Sequence, residues 1–186
     1  MHEGDKQILH SDDEWLEDRI MDAAQRLISG ETKQLFQSVL LSQGAFKPVD
    51  VVAQQYVQLL HDTNHWVTSA LLDGQVCFAD SLGQYPTPSV QKQLKEIYQH
   101  KLDSNAKLHV TVLPVETQMN GHDCGPHAIA NAFALASGMN PAYCTYDKTQ
   151  LRTHLLLCLE SAALLPFPCL PHNKRGRPRK AKVVLI

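Results

Sequence analysis

The sequence predicts an α+β domain in which a buried central helix carries a cysteine at its N-terminus and packs on a mixed or antiparallel sheet. Three observations point there. Residues 65–82, HWVTSALLDGQVCFADSL, set two β-prone runs around Asp73-Gly74, a preferred two-residue hairpin turn. Residues 108–115 alternate in the manner of a strand. That strand leads into QMNGHDCGPHAIANAF, residues 118–133, where Cys124 stands on a Gly-Pro turn. The stretch that follows, Ala128 to Ala136, is apolar on most sides and so reads as a buried helix.

The other elements follow in chain order. Ser11-Asp12-Asp13-Glu14 has the form of a capping box, and Leu16, Ile20, Ala23, Ala24, Leu27 and Ile28 recur behind it at helical spacing until Gly30. Residues 35–41, LFQSVLL, form a short apolar run that fits either helix or strand, as does Val49 to Leu60. Pro86-Thr87-Pro88 breaks the chain before a mostly polar surface helix, Val90 to His100. Leu151 to Leu165 is a further helix, closed by Pro166-Phe167-Pro168. From His172 the chain turns abruptly basic, HNKRGRPRKAKVVLI.

Composition narrows the class. With 186 residues, 44% hydrophobic and 19% charged, the chain can bury one real core, with or without a tail. A net charge of −2 supplies no general attraction to nucleic acid or membrane surfaces. No apolar run approaches spanning length, and MHEGDKQILHSDDE lacks a basic-then-apolar signal pattern, so an intracellular protein, nuclear or cytoplasmic, is expected. The cysteines at 77, 124, 144, 158 and 169 are odd in number and form no CxxC pair, which suits a reducing compartment. His122, Cys124 and His127 cluster, and His154 and Cys158 lie one helical turn apart, a pattern zinc can use. Zinc sites show two tight ligand pairs, however, and here the second lies in an apolar helix, so neither metal nor cofactor is expected.

The placement of Cys124 points to chemistry. A thiol at a helix N-terminus feels the positive end of the helix dipole, which favours the thiolate. The hairpin supplies a base and its orienting acid. With Asp73-Gly74 as a two-residue loop, Leu72 faces Gln75, His65 faces Leu82, and Asp80 faces Val67. Asp80 is then the diagonal neighbour of His65 on one sheet face, about 7 Å away between β-carbons. A carboxylate there can accept an imidazole N–H and stabilise the charged ring. Gln118, at the end of a strand before the thiol, can aim its amide at a carbonyl oxygen under attack, alongside the Cys124 backbone N–H. Gly125 lets a substrate approach the backbone closely.

These residues bring a family into view. WLEDRI at 15–20, HW at 65–66, ADS at 79–81 and QMNGHDCG at 118–125 resemble the ubiquitin-like-protein proteases, the SUMO-specific cysteine proteases and their viral and transposon-encoded relatives. The resemblance implies a papain-like cysteine protease fold over residues 12–168, with 1–11 an N-terminal extension and 169–186 a basic tail. It implies Cys124 as nucleophile, His65 as general base and acid, Asp80 as orienting carboxylate and Gln118 as oxyanion donor. It further implies that Trp15 and Trp66 enclose a narrow channel for a Gly-Gly tail, with Asp18, Asn120 and Gly125 also at the substrate. The partner would be a ubiquitin-like protein of the SUMO type, as precursor or conjugate. Gly30 to Leu60 departs from the SUMO-binding surface of well-known members, which leaves the modifier's identity open.

The tail carries a separate signal. Arg175, Gly176, Arg177 and Pro178 resemble an AT-hook, in which arginine enters the narrow minor groove of A·T-rich DNA while proline keeps the backbone extended. A solvated basic tail or a nuclear-import signal needs only the charge. Two other functions share these features: acetyl transfer by the same Cys-His-Asp site, and a weakly active, DNA-tethered binding module.

Overall fold

The computed structural model describes residues 2–40, 55–99, 107–170 and 180–186. Helix α1 (Glu3–His10) and helix α2 (Asp18–Thr32) precede an antiparallel pair, β1 (Tyr56–Asp62) and β2 (His65–Leu72). Strand β3 (Gln75–Ala79), helix α3 (Pro88–Tyr98) and strand β4 (His109–Leu113) follow. Helix α4 (Cys124–Ala136), helix α5 (Leu151–Ser161) and strand β5 (Lys182–Leu185) complete the chain. The sheet runs β1-β2-β3-β4-β5, with β3 and β4 parallel and every other neighbour antiparallel. This is the expected α+β class with a mixed sheet.

The strand period of two divides the core between the sheet's faces. Val57, Leu59, Trp66, Ala70, Cys77 and Ala79 pack with α2, α4 and α5, whereas Tyr56, Leu60, Val67, Leu71, Val76 and Phe78 pack with α3. Every residue of α4 is buried, as its all-round apolar pattern demands. The Thr68 hydroxyl donates to Ala128 O at 2.7 Å, tying α4 to the middle of β2. At the outer edge of β1, side-chain amides replace a sheet neighbour: Gln34 Oε1 accepts from Val57 N, and Gln25 bonds both Val57 O and Leu59 N.

Asp73 and Gly74 both take positive φ, 48° and 78°, as the primed hairpin turn requires. Thr87 caps α3 through Val90 N, and Pro88 occupies its first turn, where a missing N–H costs nothing. Part of the expected helix ending at His100, and part of the ambiguous Val49 to Leu60 stretch, fall outside the described residues.

Three sequence expectations about helix ends are corrected. Ser11 does not open the second helix; it ends α1, and its hydroxyl bonds Asp13 while α2 begins at Asp18. In the non-helical residues between them, Leu16 is buried and its carbonyl is taken by the Trp66 indole at 3.1 Å. Gly30 does not stop α2, which runs on to a left-handed Lys33. Helix α5 ends at a left-handed Ala162, before the Pro-Phe-Pro segment. Packing also extends beyond residues 12–168: Leu9 of α1 is buried, and β5 joins the sheet antiparallel to β4.

Candidate active site

The hairpin delivers His65, the first residue of β2, to one end of the sheet. Its register is the expected one from Leu72↔Gln75 to Thr68↔Ala79. There the ladder ends, and the expected His65–Leu82 pairing does not form. Asp80 instead begins a turn, its Oδ1 accepting from Leu82 N at 2.8 Å and its Oδ2 from Gln84 N at 3.1 Å. Fixed by those amides and 4% exposed, Asp80 still places Oδ1 2.6 Å from His65 Nε2. Burial pulls the His65 imidazolium down, but hydrogen bonds to Asp80 and to Cys124 outweigh it and hold the pKa at about 9. With Nε2 engaged by the carboxylate, Nδ1 is the ring nitrogen left for the thiol.

Cys124 is the first residue of α4 and is 2% exposed. Pro126 sits in the first turn, where an N–H has no intrahelical acceptor. Gln118 lies beyond β4, in the segment leading to the helix, where its backbone N–H donates to Ser81 O at 2.8 Å. The Ser81 hydroxyl donates to Gln118 Oε1 at 2.6 Å, which turns the NH₂ group away from Ser81, and Nε2 donates to Asn120 O at 2.6 Å. One N–H of that amide remains. The hairpin and the helix start thus bring His65, Asp80 and Cys124 together, and Ser81, next to Asp80, holds Gln118.

Residues 31–153 match the Ulp1 protease family, C-terminal catalytic domain. The chain belongs to this family. It is a cysteine peptidase domain. The SUMO protease Ulp1 with its catalytic cysteine oxidised to a sulfonic acid has a TM-score of 0.66 and 18% identity over 87% of this chain and 84% of that one. The Ulp1 protease domain in complex with Smt3, the yeast orthologue of SUMO, gives 0.65 at 18% identity over 87% and 83%. The Ulp1-like SUMO protease catalytic domain of Chaetomium thermophilum gives 0.59 at 19% identity over 83% and 76%. At such identities the structural likeness concerns the fold. A comparison with curated proteins by sequence returned no match.

Within this Ulp1-family domain, the remaining expected residues have varied surroundings. Trp15 is 48% exposed, whereas Trp66 is buried, its indole N–H on Leu16 O and its ring 4.5 Å from that of His61. Asp18 opens α2, with Oδ1 accepting from Arg19 N. Asn120 is spent on its own loop: Oδ1 accepts from His122 N and Asp123 N, and Nδ2 donates to Asp123 Oδ2 at 2.6 Å. Gly125 has a packing reason of its own. A β-carbon there would lie 2.9 Å from Leu16 Cβ, so the missing side chain admits Leu16.

Two residues escaped the sequence reading. Ser81, inside the ADS string, orients the Gln118 amide. Arg152, in α5, is buried, and its guanidinium reaches Asp123 Oδ1 (3.2 and 3.1 Å), Ile8 O (3.1 Å) and Glu14 O (2.6 Å). It joins the residue before Cys124 to the residue before Trp15. An arginine at the second position of a helix whose middle, Leu155 to Leu159, is apolar was the available signal. Among the described residues no group of three or more His, Cys, Asp or Glu is arranged to hold a metal. His154 Nε2 and the Cys158 thiol both contact Leu165 O instead. Among those residues, too, no helix is long and apolar enough to cross a membrane.

Proposed function

We propose that this domain hydrolyses the peptide or isopeptide bond following the Gly-Gly tail of a SUMO-like modifier, through a thioester on Cys124. The observation that carries the reading is the His65 ring, held by Asp80 at 2.6 Å and close enough to the Cys124 thiol for that group to help raise its pKa. Cys124 Sγ attacks the glycine carbonyl carbon, and its proton resides on His65. The carbonyl oxygen becomes an oxyanion, met by the second N–H of Gln118 and the Cys124 backbone N–H at the helix start. The C–N bond breaks as His65 gives its proton to the departing amine. Water then loses a proton to His65 and attacks the thioester, and the sulfur leaves to free the modifier's carboxylate. Asp80 keeps the ring oriented and its charge compensated throughout.

The Gly-Gly preference rests on Trp15 and Trp66, since an indole-walled channel leaves no room for a β-carbon. Asp18 at the α2 N-terminus adds a carboxylate beside that entrance. Asn120 acts by shaping the loop that carries Gln118's acceptor, and Gly125 by admitting Leu16. A·T-rich DNA as a second partner rests on Arg175, Gly176, Arg177 and Pro178, which lie outside the described residues.

The test is a panel of ubiquitin-like proteins carrying a C-terminal electrophile. A SUMO-type probe should form a covalent adduct that maps to Cys124 and disappears in Cys124→Ser. Failure of every probe, or an adduct on another cysteine, would overturn the reading. An absolute requirement for an acyl-coenzyme A donor would point to acyl transfer instead.

A further inference from the structure

Away from the catalytic thiol, the chain brings two other cysteines together. Pro168–Leu170 runs antiparallel to Thr145–Asp147: Leu170 N donates to Thr145 O at 2.7 Å, and Asp147 N donates to Pro168 O at 2.9 Å. Tyr146 and Cys169 face each other between those bonds, in the narrow, non-hydrogen-bonded kind of antiparallel pair. Cys144 precedes Tyr146 by two residues and is extended, with φ −95° and ψ 130°. It therefore lies on the same face as Cys169, as its diagonal neighbour. The Cys144 thiol rests against Asn140 O at 3.9 Å and the Cys169 thiol against Phe167 O at 3.5 Å, and Cys169 lies close enough to Cys144 to feel its charge. Cys169 is exposed and Cys144 half-buried, while Cys77, Cys124 and Cys158 are buried.

We propose that Cys144 and Cys169 form a dithiol modification site, which a peroxide converts to an intramolecular disulfide. The sulfur of Cys144 attacks one peroxide oxygen, the O–O bond breaks, and water departs, leaving a sulfenic acid. Cys169 sulfur then attacks that sulfur, the S–S bond forms, and a second water leaves. Two thiols are oxidised by two electrons and one peroxide is reduced to two waters.

The order of these steps has an electrostatic reason. Loss of solvent around its sulfur and the neighbouring Cys144 push the Cys169 thiol up to about 11. It is therefore poorly ionised near neutral pH and reacts slowly with peroxide, which leaves Cys144 as the first sulfur oxidised. The part of that shift due to negative charge on Cys144 disappears once Cys144 is a neutral sulfenic acid, which eases the second attack. The resulting staple spans Tyr146, whose N–H donates to Glu116 Oε2 at 2.8 Å, two residues before Gln118.

The experiment uses the full chain with Cys124→Ser, treated with limiting hydrogen peroxide and then with an alkylating reagent. The monomer should lose the mass of two hydrogens, and fragment spectra should join the peptide 108–148 to 153–174 through Cys144 and Cys169. A thiol reductant should reverse it, and Cys144→Ser or Cys169→Ser should each abolish it. Sulfinic or sulfonic acid on either cysteine without a joined peptide would overturn the proposal. So would a link through Cys158 or between two chains. If a serine variant failed to fold, the fragment spectrum of the parent protein would still decide.

Discussion

Arg152, buried in α5, holds Asp123 through two guanidinium nitrogens at 3.2 and 3.1 Å, and Asp123 is the residue immediately before Cys124. The same side chain binds Ile8 O and Glu14 O. Arg152→Met removes the cation and strands a partly buried carboxylate and two carbonyls, an effect of about 3–5 kcal/mol. Arg152→Lys keeps the charge but not the planar fork, and should recover only part of the loss. Urea unfolding checks the stability. Turnover of the folded fraction should also fall in both variants, because the loop before Cys124 loses its anchor; unchanged turnover would limit Arg152 to a stabilising role.

Asp80→Asn should reduce turnover on the order of a hundredfold or more while the fold persists. The pH dependence has a definite sign. The His65 pKa is raised from 6.5 to about 9, so its contribution to stability is complete below 6.5 and lost as pH rises through about 9. The stability gap between wild type and Asp80→Asn should narrow across that interval. The alkaline limb of activity, where the imidazolium loses its proton, should sit near 9 in wild type and move to lower pH in the variant. Titration of the His65 ring by NMR measures the shift directly.

Gly125→Ala should destabilise by about 1–3 kcal/mol, because the new methyl meets Leu16 Cβ at 2.9 Å. Leu16→Gly removes that Cβ together with Cγ and Cδ1 and opens the space again. In a double-mutant cycle the pair should therefore be less destabilised than the sum of the two single variants. Strict additivity would show that Gly125 is needed for some reason other than Leu16.

A substrate ending in Ala-Ala should lose most of its kcat/KM relative to Gly-Gly if Trp15 and Trp66 wall the channel. Trp15→Ala, at an exposed position, should impair turnover with little change in stability. Trp66→Ala should do both, since its indole is buried and bonded to Leu16 O. Equal rates on the two substrates would remove the channel and, with it, the modifier class.

For the tail, truncation after Pro171 is a poor test, because it deletes β5 along with the basic segment. Arg175→Ala with Arg177→Ala leaves the strand in place. That variant should lose preference for A·T-rich duplex in a binding assay while peptidase activity is retained. Binding that ignores A·T content and falls steeply with modest salt would favour plain charge attraction.

What the sequence alone determined was set by short-range rules. Asp73-Gly74 can adopt positive φ at both positions, so the hairpin and its register as far as Thr68↔Ala79 follow from a dipeptide, while a turn beyond the ladder carries Asp80 the rest of the way to His65. The apolar run after Cys124 likewise announces a buried helix with a thiol at its start. What only the tertiary structure decided depends on partners distant in the chain. Arg152 reaches Asp123 and Ile8 because α5 packs beside α4 and α1. A β-carbon at Gly125 is excluded by Leu16, which comes to rest against it. Ser11 closes α1 instead of beginning a helix, and the distant Trp66 indole takes the Leu16 carbonyl in the segment that follows. The last strand pairs with β4 because an open edge was there to receive it. Local backbone preference is the same wherever a segment sits, but a side chain's hydrogen-bond partner exists only once the distant segment has arrived.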